Sequence, residues 1–322
     1  MDITERVFGI SSDSEFEQVA LELFELHYSE NSVYRSFTDK LGRKKPKTVQ
    51  DIPFLPIEFF KTHRIILDNT QPKLIFKSSG TGGNRSSHFV HSDTIYETSF
   101  TSAFRQFFGN QEESVILALL PNYIEQGESS LVYMVDKLIQ LTKDKRSGFY
   151  LDNLDQLIQQ ISELKAERKK IILFGVSYAL LDLAAKTPDL NNVIIIETGG
   201  MKGRRKEMTK AELHKTLHKA LNVNAIHSEY GMTELLSQAY STGEQLFTSP
   251  PWMKIIIRDT NDPLSYLNFG KTGGINVIDL ANIYSCPFIA TQDLGKLYEN
   301  GQFEVLGRFD LADIRGCNLL VE

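Results

Sequence analysis

Lys73-Leu74-Ile75-Phe76 opens directly into Lys77-Ser78-Ser79-Gly80-Thr81-Gly82-Gly83. The apolar run predicts a short strand, and the glycines and hydroxyls that follow predict a loop. Glycine lacks the Cβ atom that would block close approach, so successive backbone N–H groups can converge on phosphate oxygens, and the Ser and Thr side chains add hydroxyl donors. The stretch therefore predicts a phosphate-binding loop for a nucleoside triphosphate. A solvated turn uses the same residue types and is the alternative.

The loop departs from two well-known phosphate-binding patterns. No Gly-Lys-Ser/Thr follows at the spacing of a P-loop, and the glycines do not form the Gly-x-Gly-x-x-Gly pattern of dinucleotide-binding folds. Motifs farther along the chain are therefore needed to identify the kind of nucleotide site.

Predicted strands and helices alternate after the loop. The helices are predicted at 93–108, 130–141, 152–167, 178–186 and 209–220, and the strands at 114–120, 170–174, 193–197 and 223–227. From Trp252 onward, short strands with turn signals are predicted at 254–258, 274–279, 295–298 and 302–306. The fold class is therefore α/β, with mixed, mostly parallel sheets flanked by helices and a smaller antiparallel β subdomain.

This pattern predicts three regions. Residues 1–72 form an N-terminal helical and strap segment, with one amphipathic helix over 14–34 and an extended strap at 51–60, where two prolines prevent a regular helix. Residues 73–250 form the α/β nucleotide-binding core. Residues 251–322 form the β-rich subdomain and the C-terminal tail.

Composition limits the function classes. With 35 basic and 41 acidic residues in 322, the net charge of −6 argues against a nucleic-acid-binding protein. The first residues do not resemble a signal peptide, and no apolar run reaches the length of a membrane span. Two cysteines indicate a reducing compartment without a disulfide framework. We therefore expect a cytoplasmic protein with no membrane insertion.

Three later motifs carry chemistry. Tyr230-Gly231-Met232-Thr233-Glu234 follows a predicted strand, and at a strand-to-helix turn it could stack a base on the ring and offer oxygen ligands to Mg²⁺. Asp293, in a predicted turn between strands, could accept hydrogen bonds from ribose hydroxyls. Gly307-Arg308 supplies a cation for phosphate or ribose-linked charge. A helix cap, a turn carboxylate and a surface arginine are the alternative interpretations.

The order of the loop and these motifs is similar to that of the adenylate-forming enzymes, the superfamily of acyl-CoA synthetases, peptide-synthetase adenylation domains and firefly luciferase. The resemblance covers roughly residues 73–316 and implies ATP and Mg²⁺ as cofactors and a carboxylic acid as substrate. It implies the following roles: Ser78, Ser79, Gly80, Thr81, Gly82 and Gly83 hold the ATP phosphates, Gly199 and Gly200 line the acyl and adenine pockets, Tyr230 with Gly231 contacts adenine, Thr233 contacts the phosphate side, Glu234 binds magnesium, Asp293 binds ribose, and Arg308 lies at the hinge.

Two further stretches narrow the resemblance. Pro53-Phe54-Leu55-Pro56-Ile57-Glu58-Phe59-Phe60-Lys61 and the ending Asp313-Ile314-Arg315-Gly316-Cys317-Asn318-Leu319-Leu320 look like the LuxE-type acyl-protein synthetases, as does the short chain. In bioluminescence, that synthetase activates a fatty acid with ATP and carries the acyl group as a thioester on its own cysteine, and a reductase partner then forms the aldehyde. The resemblance thus implies an acyl reductase, an acyl carrier protein or an acyltransferase as partner.

The sequence departs from the superfamily's pattern in two places. The lysine that usually follows the phosphate loop is replaced by Asn84-Arg85-Ser86, where Arg85 could supply the charge. Because only 14 residues follow Arg308, we also expect the mobile C-terminal domain of the superfamily to be absent, and this second departure bears on Cys317. We therefore expect Cys317 to take the acyl group, with Arg315 lowering the pKa of its thiol. With Thr233 and Arg308, it is a candidate catalytic residue.

Two rival functions stay open at this point. The acceptor of the acyl group could be CoA or a carrier-protein thiol, with Cys317 idle. Alternatively, the chain could be a non-enzymatic nucleotide-binding subunit of a reductase or synthase complex. Of the other candidates, we expect Cys286 to be buried in a strand, His88 and His91 to be structural, and His214 and His218 to lie on the surface.

Overall fold

The computed structural model describes residues 2–79, 85–120, 127–151, 153–199 and 208–308. Its helices are α1 Ile3–Phe8, α2 Asp13–Glu30, α3 Ser32–Leu41, α4 Phe59–Thr62, α5 Asp93–Phe108, α6 Ser130–Gln140, α7 Leu154–Ala166, α8 Ser177–Ala184 and α9 Lys210–Leu221. Its strands are β1 Leu55–Pro56, β2 Leu74–Lys77, β3 Ser87–Val90, β4 Ser114–Leu119, β5 Gly148–Phe149, β6 Lys170–Val176, β7 Val193–Thr198, β8 Ile226–Tyr230, β9 Ala239–Ser241, β10 Phe247–Thr248, β11 Met253–Arg258, β12 Gly273–Asp279, β13 Phe288–Leu297 and β14 Phe303–Arg308. None of these helices is long and apolar enough to cross a membrane.

The chain divides into two compact units. The first comprises Met1–Leu74, Gly82–Ser92 and Pro251–Glu322, and the second comprises Ile75–Thr81 and Asp93–Pro250. We call them the β-rich unit and the α/β unit. The N-terminal helices and the C-terminal strands thus share one unit, although they lie at opposite ends of the sequence.

The α/β unit is built on a mostly parallel sheet. Strands β5, β4, β6, β7 and β8 run parallel in that order, and β9 and β10 continue the sheet antiparallel. All residues of β4 and nearly all of β6 are buried, because helices cover both faces of the sheet. Helix α7 packs on β6, α8 on β6 and β7, and α9 on β8. This arrangement confirms the predicted α/β class with a mixed, mostly parallel sheet.

The β-rich unit contains an antiparallel sheet in the order β11, β12, β13 and β14. The predicted strap supplies β1, which pairs parallel to β13 with Leu55 opposite Ile289. Helix α1 joins this unit through Phe8, whose ring lies edge-on to Trp252 at 5.0 Å between centroids. The predicted antiparallel β subdomain is therefore present.

The single helix predicted over 14–34 is wrong. The chain forms α2 and α3 instead, and Asn31 separates them in an extended conformation. The Asn31 side chain accepts a hydrogen bond from the N–H of Tyr34 at 3.1 Å and donates one to the carbonyl of Ser285 at 3.1 Å. Apolar periodicity alone misses this break, because the side chain that caps α3 is also fixed by a residue far along the chain.

Candidate active site

The strand that leads into the glycine loop is firmly held in the α/β unit. Phe76 is buried, and its ring contacts those of Tyr96 and Tyr133, each at 5.5 Å between centroids. The N–H of Lys77 donates to the carbonyl of Glu128 at 2.8 Å, and the two side chains form an ion pair. Ser78 and Ser79 follow this anchored strand. Gly80, Thr81, Gly82 and Gly83 lie outside the described residues, so their role stays a prediction.

Tyr230 is the last residue of β8, and its side chain is largely buried. The ring packs against that of Phe247 at 5.8 Å between centroids, and the ammonium of Lys210 lies 5.0 Å from the centroid of Phe247. At the next position, Gly231 leaves no room for a side chain, because a Cβ atom there would lie 2.4 Å from Oε1 of Glu229. The Tyr-Gly pair is therefore a close fit to the end of the strand.

The turn after Tyr230 differs from the prediction. The sequence predicts a strand-to-helix turn, but the chain makes a turn in which the N–H of Leu235 donates to the carbonyl of Met232 at 3.1 Å. It then returns as β9, antiparallel to β8. Too few residues separate the two strands for a helix of ordinary length. Thr233 is half-buried in this turn, and Glu234 is buried.

Gly199 lies beside this strand end, directly after β7. Its φ is +69°, a left-handed conformation that favours glycine and explains the residue type. The hydroxyl of Ser177 lies 3.1 Å from the carbonyl oxygen of Gly199 and 2.6 Å from Oε1 of Glu197. Since β7 and β8 are adjacent parallel strands, Gly199 and Tyr230 lie at the same edge of the sheet, as predicted residues of one site should. Gly200 lies outside the described residues.

Glu197 is the centre of a buried charged cluster on one face of this sheet. Its Oε2 lies 3.2 Å from Nζ of Lys210, 3.8 Å from Nε2 of His214 and 3.3 Å from the hydroxyl of Ser228. Burial by itself would raise the pKa of Glu197, but the contact with His214 and the charge of Lys210 outweigh burial and lower it. The cluster therefore holds an ionised carboxylate beneath Gly199.

The cluster resembles a catalytic triad in composition but not in geometry. Ser228 and Glu197 both approach Nε2 of His214, whereas a triad needs the carboxylate on the other ring nitrogen. The Ser228 side chain is also fully buried. We therefore assign the cluster a structural role, because it joins β7 and β8 to helix α9. The expectation that His214 lies on the surface is wrong, because its ring reaches back to the buried carboxylate of β7.

Glu229 lies on the opposite face of the sheet from Glu197, also near the carboxyl ends of β7 and β8. It accepts a hydrogen bond from the hydroxyl of Thr198 at 2.5 Å. Burial raises the pKa of Glu229 to about 7, and the Thr198 hydrogen bond and the charge of Lys210 only partly oppose this effect. Two glutamates at neighbouring strand ends thus differ in charge, one ionised and one largely neutral below pH 7.

Asp293 and Arg308 form a pair in the β-rich unit. Nε of Arg308 donates to Oδ1 of Asp293 at 3.1 Å, and the two residues lie opposite each other in β13 and β14. The Asp293 side chain is buried, whereas that of Arg308 is 70% exposed. The prediction that Asp293 lies in a turn is wrong, since β13 runs as far as Leu297 with a register shift next to Asp293. The two residues therefore lie together, and their joint role at a nucleotide stays a prediction.

Arg258 fixes the backbone beneath Asp293. Its buried guanidinium donates to the carbonyl of Ile275 and to Oδ1 of Asn276, each at 2.8 Å, and to the carbonyl of Thr291. The Thr291 hydroxyl in turn accepts from the N–H of Asp293 at 3.1 Å. Gly274 makes room for the guanidinium, because a Cβ atom there would lie 2.5 Å from its central carbon. Arg258 is therefore a positioning residue for Asp293.

The remaining candidates have simpler outcomes. Cys317 lies outside the described residues. Cys286 is fully buried as predicted, but the prediction that it lies in a strand is wrong, because it precedes β13 by two residues. Burial raises the pKa of its thiol to about 12, so it is no nucleophile. His88 packs on Phe60, and Nδ1 of His91 lies 2.8 Å from the carbonyl of Gln71, in keeping with structural roles. Among the described residues, no group of three or more His, Cys, Asp or Glu could hold a metal.

Sequence comparison identifies the family. A family model described as acyl-protein synthetase, LuxE, matches residues 8–322. The chain belongs to the LuxE family. A comparison with curated proteins finds no match for this LuxE-family chain.

Solved structures with a similar fold are adenylate-forming ligases. ATP-bound MatB from Rhodopseudomonas palustris is 19% identical, with a TM-score of 0.55 over 75% of this chain and 49% of that one. A 2-hydroxyisobutyryl-CoA ligase in complex with 2-HIB-AMP and CoA is 11% identical, with a TM-score of 0.62 over 95% and 77%. A long-chain-fatty-acid-CoA ligase from Archaeoglobus fulgidus is 16% identical, with a TM-score of 0.54 over 73% and 51%.

This likeness extends to the fold alone, given the low identities. The LuxE-family chain spans about half the length of MatB. The α/β fold class predicted from the alternating strands and helices is confirmed by these structures.

Three residues next to the candidate site were not found by sequence reasoning: Glu197, Glu229 and Arg258. Each had a signal. Glu197 is a lone acid that ends the apolar run Val193-Ile194-Ile195-Ile196, Glu229 interrupts β8 just before the Tyr-Gly pair, and Arg258 ends the apolar strand β11. A charged residue at the end of a buried strand must find a partner or change its charge state, which is a usable indication of a site.

Proposed function

We propose that this protein is an ATP-dependent acyl-protein synthetase. The observation that carries the proposal is the LuxE family match over residues 8–322, a range that includes every candidate site residue. Similar folds have been solved with ATP bound in MatB and with an acyl-AMP bound in the 2-hydroxyisobutyryl-CoA ligase, which supports acid activation through an adenylate. The proposed substrate is a carboxylic acid of the fatty-acid class.

In the first step, a carboxylate oxygen of the acid attacks the α-phosphorus of ATP. The bond to the β-phosphate bridging oxygen breaks, giving acyl-AMP and pyrophosphate. Residues 78–83 would hold the phosphates, and Asp293, held by Arg308 and by the backbone that Arg258 fixes, would accept hydrogen bonds from ribose hydroxyls. The adenine would lie beside Tyr230 and the Gly199–Gly200 segment. Catalysis of this step is positioning and charge stabilisation.

The oxygen-rich turn after β8 fits a hard cation. Thr233 offers a hydroxyl and Glu234 a carboxylate, the donor types that Mg²⁺ prefers, and both lie at the edge of the sheet where β7 and β8 end. Magnesium bound there would neutralise charge on the phosphates. The part of the chain that the structure describes offers no competing cluster of metal ligands.

In the second step, we propose that the thiolate of Cys317 attacks the acyl carbonyl carbon. The thioester bond forms, the bond between the carbonyl carbon and the AMP phosphate oxygen breaks, and AMP leaves with the electron pair; the thiol proton goes to solvent. Cys286 is excluded as the acceptor because its thiol is buried. An acyl reductase, an acyl carrier protein or an acyltransferase would then take the acyl group.

ATP–pyrophosphate exchange against a panel of carboxylic acids tests the first step. We expect acid-dependent exchange in the wild type and a loss of at least roughly 100-fold in kcat/KM for Glu234→Ala and Asp293→Ala. Lys254→Met, a substitution of a half-buried lysine in the β-rich unit that pairs with Asp13, is the control and should retain exchange. Absence of exchange with every acid would favour the non-enzymatic rival.

Acyl labelling tests the second step. Wild-type protein should retain radioactive acyl label only with ATP, magnesium and acid together, and hydroxylamine should release it. Cys317→Ser should keep exchange and lose the label, whereas Cys286→Ala should keep both. An adenylate that forms without any label on the protein, and is consumed when CoA or a carrier protein is added, would assign the acceptor role to those thiols.

A further inference from the structure

A row of polar side chains crosses one face of the sheet in the α/β unit. Glu229 of β8 lies directly opposite Tyr240 of β9, and Thr198 of β7 lies beside Glu229 and donates a hydrogen bond to it. Residues opposite each other on neighbouring strands point to the same face and lie about 5 Å apart at Cβ. The three side chains therefore form one continuous polar row, which we call the Glu229 row.

Two polar atoms at this row have no hydrogen-bond partner among the residues that the structure describes. The Tyr240 hydroxyl is fully buried and unpaired, and Oε1 of Gln238, two residues before it in the chain, is buried and unpaired as well. Gln238 lies at the row, because its side chain would be 3.4 Å from a Cβ atom on Gly231, which itself would touch Glu229. Buried polar atoms without partners are rare and indicate a bound water or a ligand.

The ring contacts of Tyr240 do not involve its hydroxyl. The rings of Phe107 and Phe108 flank the tyrosine ring at 5.3 and 5.1 Å between centroids. Both neighbours are apolar, so a phenylalanine would serve the packing equally well. The pKa of Tyr240 is raised far above its ordinary value, first by burial and then by the charge of Glu229, which places the phenol within electrostatic reach of the carboxyl group.

The location of the row ties it to the candidate site. Ligands of open α/β sheets bind outside the carboxyl ends of the parallel strands. Thr198 and Glu229 are the last or second-last residues of β7 and β8, and they immediately precede Gly199 and Tyr230. A bound acid whose carboxylate lies at the nucleotide would therefore have the rest of its chain close to this row.

We propose that the Glu229 row receives a hydroxyl group of the acid substrate, so that the enzyme activates a hydroxylated carboxylic acid rather than a plain alkanoic acid. This inference rests on the proposed function and names its substrate class. A hydroxyl group both donates and accepts, and it would satisfy Tyr240 and Gln238 together. A methylene group would leave both atoms unpaired.

An ammonium group suits this row less well. Glu229 is the carboxylic acid of the row, and its environment already favours the neutral form. The Lys210 ammonium lies on the other face with Glu197 and adds positive potential. Burying a second positive charge there would carry a large desolvation cost. The row therefore selects a neutral polar group.

The test compares matched acids. Exchange kinetics are measured for an alkanoic acid of each chain length and for its α-, β- and ω-hydroxy and α-amino derivatives. We expect one hydroxy acid to exceed its alkanoic partner by roughly 10- to 100-fold in kcat/KM. Tyr240→Phe and Gln238→Met should each reduce that preference by about tenfold and leave the alkanoic acid unchanged. Both variants remove an unpaired atom, so neither should unfold the protein.

Ser241→Ala is the matched control. Its hydroxyl is also buried and unpaired, but it lies next to Tyr240 on the opposite face of β9. It should leave the preference unchanged. Two results would overturn the inference and indicate ordered water in the row. One is an equal effect of Tyr240→Phe on kcat/KM for all acids. The other is a wild-type preference for alkanoic or amino acids that Tyr240→Phe does not change.

Binding without ATP separates this inference from the proposed function. The shift of the thermal unfolding midpoint by each acid is measured for the wild type and for Tyr240→Phe. A shift by a hydroxy acid that needs the Tyr240 hydroxyl, without any exchange, would retain the inference and reject the synthetase. Exchange with alkanoic acids alone would do the reverse, and the absence of both signals would reject both.

Discussion

Glu197 and Glu229 are identical side chains whose pKa values are shifted in opposite directions by their surroundings. They lie on neighbouring strands, but their positions differ by one residue in the register, so they point to opposite faces of the sheet. Glu197 meets Lys210, His214 and two hydroxyls and stays ionised. Glu229 accepts a hydrogen bond from one hydroxyl, that of Thr198, so burial dominates. The local donors, and not the residue type, decide the charge.

The raised pKa of Glu229 predicts a change of stability with pH. The folded protein binds the Glu229 proton more tightly than the unfolded chain, because the pKa rises from 4.5 to about 7 on folding. The free energy of unfolding should therefore decrease as pH rises from 4.5 to 7, by up to roughly 3 kcal/mol from this group. Glu229→Gln should remove this part of the slope, measured by urea unfolding at several pH values.

The quantity to compare is the difference in the free energy of unfolding between the wild type and Glu229→Gln at each pH. The contributions of titratable groups common to both proteins cancel in this difference. Glu163→Gln, on the exposed face of α7, serves as a control and should follow the wild type. A wild-type slope that persists unchanged in Glu229→Gln would show that the carboxyl titrates in the folded protein as it does in water.

At the scale of elements, Asn31 joins two helices to a distant turn. Its side chain caps α3 and also binds the carbonyl of Ser285. We predict that Asn31→Ala lowers the free energy of unfolding by about 2–4 kcal/mol, because the cap and a buried hydrogen bond are lost together. Thermal or urea unfolding measures this change.

Asn153 provides a matched control for this prediction. It caps α7 by accepting from the N–H of Gln156 at 3.0 Å, but its side chain is exposed and its other contact is with Gln156 itself. Asn153→Ala should cost only about 1 kcal/mol. Equal costs at the two positions would show that the contact with Ser285 adds nothing.

The sequence predicts elements well where the signal is local. The limits of α5 agree with the prediction, because Asp93 and a clear run of buried aromatics mark the helix. The prediction of a strand-to-helix turn after Tyr230 is wrong, because the chain returns as β9 and pairs with β8. Strand pairing of this kind is not visible in local composition. The prediction that Asp293 lies in a turn is wrong for the same reason, since the length of β13 depends on its pairing with β14.

The candidate site follows the same division. Motif order is enough to nominate Tyr230, Glu234, Asp293 and Arg308 as candidates, since these residues lie in short recognisable strings. Predicting the clusters around Glu197 and Glu229 requires the register of β7, β8 and β9. No short sequence motif contains that information. That all site residues converge on one nucleotide stays a prediction.

At the scale of the whole molecule, His27 connects the two ends of the chain within the β-rich unit. Its Nε2 lies 3.1 Å from the carbonyl oxygen of Ile283, 256 residues away. Burial lowers the pKa of His27 from 6.5 to about 4, and the hydrogen bond to Ile283 only partly opposes this effect. The folded chain therefore resists protonation where the unfolded chain accepts it.

His27 should make the protein sensitive to acid. Because the unfolded state binds the extra proton, the free energy of unfolding should fall as pH drops from 6.5 to 4, by up to roughly 3 kcal/mol from this residue. His27→Gln, which keeps a donor for Ile283, should flatten this decline in urea unfolding curves. His63→Gln is the control, since His63 is exposed. A decline of equal size in all three proteins would contradict the assignment.

Strand β8 also limits how this protein can evolve. Its successive residues serve different purposes, with Ser228 in the charged cluster, Glu229 in the neutral row and Tyr230 at the proposed adenine position. Insertion or deletion of one residue would send each side chain to the wrong face of the sheet. Relatives with altered substrate preference should therefore have arisen through point substitutions in this strand, and its length should be inherited unchanged.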